Sequence, residues 1–187
     1  MPTAVIQMPA VTAGIAVVVL ALAVREDLLR HRIPNALNMA GVVLGFGLAT
    51  LAGGVSGAIH SVEGALVGCT ALIPFYLLRG MGAGDVKLMG ATGAFLGPSG
   101  ALLATALALI AGAVLAVGII VWRLVEPRPR LEASPSGEAS AAWRAAATIS
   151  VVRKERFPYA VAIAVGVVTT LWLRGSLGAL FVALGIG

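Results

Sequence analysis

Gly82-Ala83-Gly84-Asp85-Val86-Lys87-Leu88-Met89-Gly90-Ala91-Thr92-Gly93-Ala94-Phe95-Leu96-Gly97 is an apolar, glycine-rich run whose one acid and one base both stand in its first six residues. From Leu88 onward it carries no charge, which suits a helix surrounded by hydrocarbon or by protein, and it is headed by a carboxylate at the apolar edge. Ionisable groups in that position are costly unless paired or wetted, so Asp85 is a candidate for chemistry. Gly82 and Gly84 let the backbone before it take conformations closed to other residues and let another chain approach closely. The later glycines suggest close packing of helices.

The rest of the chain has the same character. Of its 187 residues 59% are hydrophobic and 11% charged, and the mean hydropathy is +1.01, well above the roughly 45–50% apolar content of an ordinary soluble domain. A water-soluble globule and a disordered chain are both excluded. A single cysteine, Cys69, excludes a disulfide framework and a four-cysteine zinc site within the chain. No metal site or cofactor is expected. The net charge of +5 belongs with membrane topology rather than with nucleic acid, because in a membrane protein basic residues mark the cytoplasmic loops and contact anionic lipid.

Apolar runs fall at about 9–24, 36–53, 62–78, 86–97, 100–122 and 157–173, followed by a short tail at 176–187. They predict an all-α, polytopic membrane helix bundle of about six transmembrane helices. The run at 86–97 is short for a crossing; it suffices if the helix begins near Gly84 and the turn falls at Pro98-Ser99-Gly100. Met1–Pro9 contains no Lys or Arg, whereas Arg25, Arg30 and Arg32 follow the first run. This predicts a retained first span with the N-terminus outside. Twelve of the 13 basic residues then face the cytoplasm, leaving Arg174 outside. Residues 1–187 read as one membrane-embedded domain. Its loop at about 123–156 is rich in Pro, Ser, Ala, Glu and Arg, and within it Glu138–Val152 could form an amphipathic surface helix with Trp143 at the headgroups.

The chain has only two aspartates, Asp27 and Asp85. The topology puts both at cytoplasmic helix ends, where they can reach a common depth. Each also has an ordinary reading, Asp27 as the helical ion-pair partner of Arg30 and Asp85 as a neighbour of Lys87. Pro34 ends helix continuation after the first span, and Asn35 is positioned to cap the second. Asn38 reads as a helix-contact residue.

Asp27 with Ile33-Pro34-Asn35, then Gly82-Ala83-Gly84-Asp85-Val86-Lys87-Leu88, then Phe157-Pro158-Tyr159-Ala160-Val161-Ala162-Ile163-Ala164-Val165-Gly166, together resemble the type IV prepilin peptidases, polytopic aspartic proteases of bacterial and archaeal membranes. The resemblance spans roughly residues 10–170. It implies that Asp27 and Asp85 are the catalytic pair, cleaving the basic leader of a prepilin or pseudopilin precursor at the cytoplasmic (inner) membrane. Larger members carry a Cys-x-x-Cys zinc insertion and also methylate the product; with one cysteine this chain looks like the short, peptidase-only form associated with Flp (tight-adherence) pili.

The residue chemistry agrees. Two nearby carboxylates in a poorly solvated site hold one proton between them, giving a general base and a general acid for the attack of water on a peptide carbonyl. Gly82, Gly84, Lys87 and Asn35 are the candidate substrate-binding residues, and the glycine-bearing helices around Gly84 and Gly90 the expected docking surface for the substrate's apolar segment. Two other readings stand beside this one: a small proton-coupled transporter using the aspartates as relay sites, and a structural subunit of a secretion assembly that depends on neither. Transport sites tend to lie nearer the bilayer midplane, which disfavours the transporter. The sequence leaves the oligomeric state and the partner pilin open.

Overall fold

The structure, a computed structural model, describes residues 10–30, 32–125 and 159–175. The expectations for the 126–156 loop and its surface helix, for the 176–187 tail, for His31 and for Phe157-Pro158 fall outside the described residues. Within them the chain is helical throughout: α1 (Ala10–Arg30), α2 (Asn35–Leu77), α3 (Ala83–Val125) and α4 (Tyr159–Leu173). Met1–Ala113 with Pro158–Gly187 forms one compact unit and Val114–Phe157 another. Of the second, only the end of α3 is described, where Val114, Val117, Val121 and Trp122 are exposed.

Helices α2 and α3 have 43 residues each, and each is interrupted by one glycine. Gly54 has φ +58° and ψ −138°; Gly97 has φ +70° and ψ 176°. Both lie in backbone regions that a Cβ all but forbids, so a single residue turns the chain where a loop would otherwise be needed. After Gly54 the chain folds back far enough that Gly57 lies against the backbone of Ala49. Pro98 opens the resumed helix, a position where its fixed φ and missing N–H cost nothing. The expected boundaries between runs two and three and between runs four and five are therefore one-residue breaks. The described residues thus form four helices, two of them broken by one such glycine. Two of them, Asn35–Leu77 and the Ala83–Ile119 part of α3, are long and apolar enough to cross a membrane.

The stretch of α3 before Gly97 is the centre of the first unit. Leu88 to Gly97 are all buried, because small residues on α2 admit them closely on two sides. Gly41 and Gly45 lie against Ala91 and Ala94, while beyond the Gly54 break Gly64 meets Gly93 and Gly68 meets Met89. Side-chain-free contacts of this kind let backbones approach and gain dispersion energy, which substitutes for a hydrophobic driving force where the surroundings are themselves apolar. This stretch rises only about 21 Å at 1.5 Å per residue. Its burial between the two arms of α2 means that it need not match the hydrocarbon alone.

On the other side, Gly166 of α4 rests on the backbone of Ala104 and Ala108. Helix α1 touches α2 and α4 and buries Ala13, Ala16, Leu20 and Ala23, residues three and four apart that form one face. The end of α2 is closed by paired bonds, Arg79 N–H to Tyr76 O at 2.9 Å and Gly80 N–H to Phe75 O at 3.0 Å. That is the Schellman pattern, here with Arg79 at φ +57° where glycine is usual.

Candidate active site

The two aspartates, both in the first half of the sequence, are carried by α1 and α3. Asp27 is half-buried in the last turns of α1. Asp85, in the first turn of α3, is 8% exposed. Their carboxyl groups are near enough to act on one another's charge, and Tyr159 at the start of α4 is within electrostatic reach of Asp85. Tyr159 was legible only as one letter of the Phe-Pro-Tyr motif, with nothing in its own neighbourhood to connect it to Asp85.

Asp85 is held by its own turn. The Gly82 N–H donates to Asp85 Oδ2 at 3.1 Å, and the Asp85 N–H donates back to Gly82 O at 3.1 Å. The first is the reciprocal half of a capping box, in which an acid at the third helical position satisfies the N–H of the cap residue. It fixes one carboxylate oxygen. A Cβ at Gly82 would stand 3.1 Å from Oδ2, so glycine there leaves room for the carboxylate itself. Gly84 faces Ile33, whose Cβ would lie 3.5 Å from an added Cβ.

The turn is tied to α2 at two points. Lys87 Nζ donates to Asn35 Oδ1 at 2.9 Å, and Asn38 Nδ2 donates to Gly84 O at 3.4 Å. Two expectations are corrected here. Asn35 does not cap α2: the cap is Pro34, whose carbonyl accepts from the Leu37 and Asn38 N–H groups, and the cap has no side-chain hydrogen bond. Lys87 pairs with Asn35 of α2 instead of Asp85. Arg30 likewise turns to Glu26, Nε to Oε2 at 3.2 Å, four residues back on the same helix face. The expected docking surface is partly occupied too. Gly90 lies against Cys69 Sγ, so that face of α3 is filled by α2. Cys69 is a contact residue there, donating to Val86 O at 3.7 Å.

The described residues hold no group of three or more His, Cys, Asp or Glu side chains placed to share a metal ion. What two carboxyls within reach of each other's charge can offer chemically is proton exchange. Compared with known proteins, residues 14–117, more than half of the chain, match the type IV leader peptidase family, and the match includes Asp27, Asn35, Asp85 and Lys87. No curated protein and no solved structure matches the chain.

Proposed function

The chain belongs to the type IV leader peptidase family, and on that premise we propose that it is a membrane aspartic endopeptidase that removes the leader of a Flp-type prepilin with Asp27 and Asp85. At the family level it is a peptidase acting on a protein substrate. The observation that carries the finer reading is the convergence of the only two aspartates in the sequence within reach of each other's charge.

Repulsion between two close carboxylates favours a singly protonated pair. The ionised member takes a proton from water as its oxygen attacks the scissile carbonyl carbon. The protonated member donates to the carbonyl oxygen, giving a neutral gem-diol. Collapse of that species breaks the C–N bond, with a proton passing to the leaving amine. The pair ends as it began, no covalent enzyme intermediate forms, and one water is consumed.

The topology belongs to the same proposal. Six spans with the N-terminus outside put the aspartates and twelve of the 13 basic residues on the cytoplasmic side of the inner membrane. A precursor made in the cytoplasm presents its basic leader and the start of its apolar helix on that side. Because the face of the enzyme is itself basic, long-range attraction to the leader cannot drive binding, and the apolar segment of the substrate must contribute most of it. The test is incubation of the detergent-purified protein with a candidate Flp-type precursor, with mass measurement of the product. A single cut just ahead of the apolar segment supports the reading; an intact precursor contradicts it.

A further inference from the structure

Asn38 has an oxygen that the fold does not use. The residue is 4% exposed. Its Nδ2 donates to Gly84 O, while its Oδ1 is buried with no hydrogen-bond partner among the described residues. Leaving such an acceptor unsatisfied is costly, so buried ones are rare and call for a reason. One turn earlier, Asn35 provides the contrast, because its Oδ1 is taken by Lys87. With its Nδ2 on the Gly84 carbonyl, the Asn38 amide is anchored at the residue that precedes the carboxylate assigned to catalysis.

We propose that Asn38 is a substrate-binding residue, its side-chain oxygen accepting one backbone N–H of the precursor as it passes Asp85. This rests on the peptidase reading above. A peptide drawn into a site with little water brings one N–H per residue, each needing an acceptor. Asn38 offers one, on the side chain that holds Gly84. Its other end grips Gly84, so the contact that receives the substrate also locates the turn carrying Asp85.

The experiment uses the full-length protein in detergent and a series of precursor peptides. In each peptide one amide flanking the cleaved bond, but not that bond itself, is replaced by an ester, which deletes a single N–H. At one position the ester should lower kcat/KM about tenfold, the usual worth of one hydrogen bond of this kind. Asn38→Leu should lower kcat/KM on the all-amide precursor by a similar factor, and the sensitive ester should then cost nothing more. Asn38→Ala provides the same double comparison should the leucine disturb the fold. Equal ester sensitivity with and without Asn38, or no sensitive position in the unsubstituted protein, overturns the proposal. Failure of the unsubstituted protein to cut the all-amide precursor overturns the peptidase reading itself, and this inference with it.

Discussion

Gly82 donates its backbone N–H to Asp85 Oδ2 at 3.1 Å, so the carboxylate assigned to catalysis also closes the N-terminus of the helix that carries it. The two roles can be separated. Asp85→Asn retains a side-chain oxygen for the Gly82 N–H, whereas Asp85→Ala retains none, and a lost cap costs about 1 kcal/mol. Both variants should be inactive, but only the alanine should unfold at a clearly lower temperature in detergent. Equal melting of the two would show that the cap contributes nothing.

Gly82→Ala tests how much positional error the site tolerates. The added Cβ would meet Oδ2 at 3.1 Å, closer than ordinary contact, and would push the carboxylate aside. Displacements of about 1 Å can cost some hundredfold in rate, so a shift of a few tenths should lower kcat by about tenfold, with KM little changed. Normal turnover by this variant would mean that Oδ2 has no fixed place in the reaction.

Arg79 holds φ +57° at the end of α2, a conformation that costs a side-chain-bearing residue about 1–2 kcal/mol. Arg79→Gly should therefore raise stability by about 1 kcal/mol, read as a higher unfolding temperature or a higher denaturant midpoint. A decrease would mean that the arginine side chain makes contacts worth more than the strain.

Topology can be read without substrate. A reporter fused after Arg32 should report cytoplasm, and one fused near Ser56, beside the Gly54 break, should report the exterior. The reverse pattern would put both aspartates on the far side, away from a precursor emerging from the cytoplasm.

The helical reading was legible because periodicity and apolar run length report directly on local structure. The breaks were legible too, though not as single residues: the run boundaries at 53/62 and 97/100 bracket them, while Gly54 and Gly97 do the turning. Asp27 and Asp85 drew attention through rarity and position, and the motifs around them, Ile33-Pro34-Asn35 and Gly82-Ala83-Gly84-Asp85, carried the pairing through the resemblance. The wiring around them was not legible. The Lys87–Asn35 and Asn38–Gly84 bonds join residues 52 and 46 apart in the chain, and no local pattern says which of several nearby polar groups a long side chain will choose. The same holds for Gly90, where glycine spacing indicates close packing without saying whether the neighbour is a substrate or, as here, Cys69 of the same chain.

The most direct test of the dyad is cleavage of a Flp-type precursor by Asp27→Asn, by Asp85→Asn and by the double variant, each first shown to be folded in detergent by its unfolding transition. An amide cannot exchange a proton with water or with the carbonyl, so each single change should abolish product formation. The double change should be no worse than either, because residues that act as one unit are not additive. Substantial cleavage by either folded single variant would contradict the assignment of Asp27 and Asp85 as the catalytic pair.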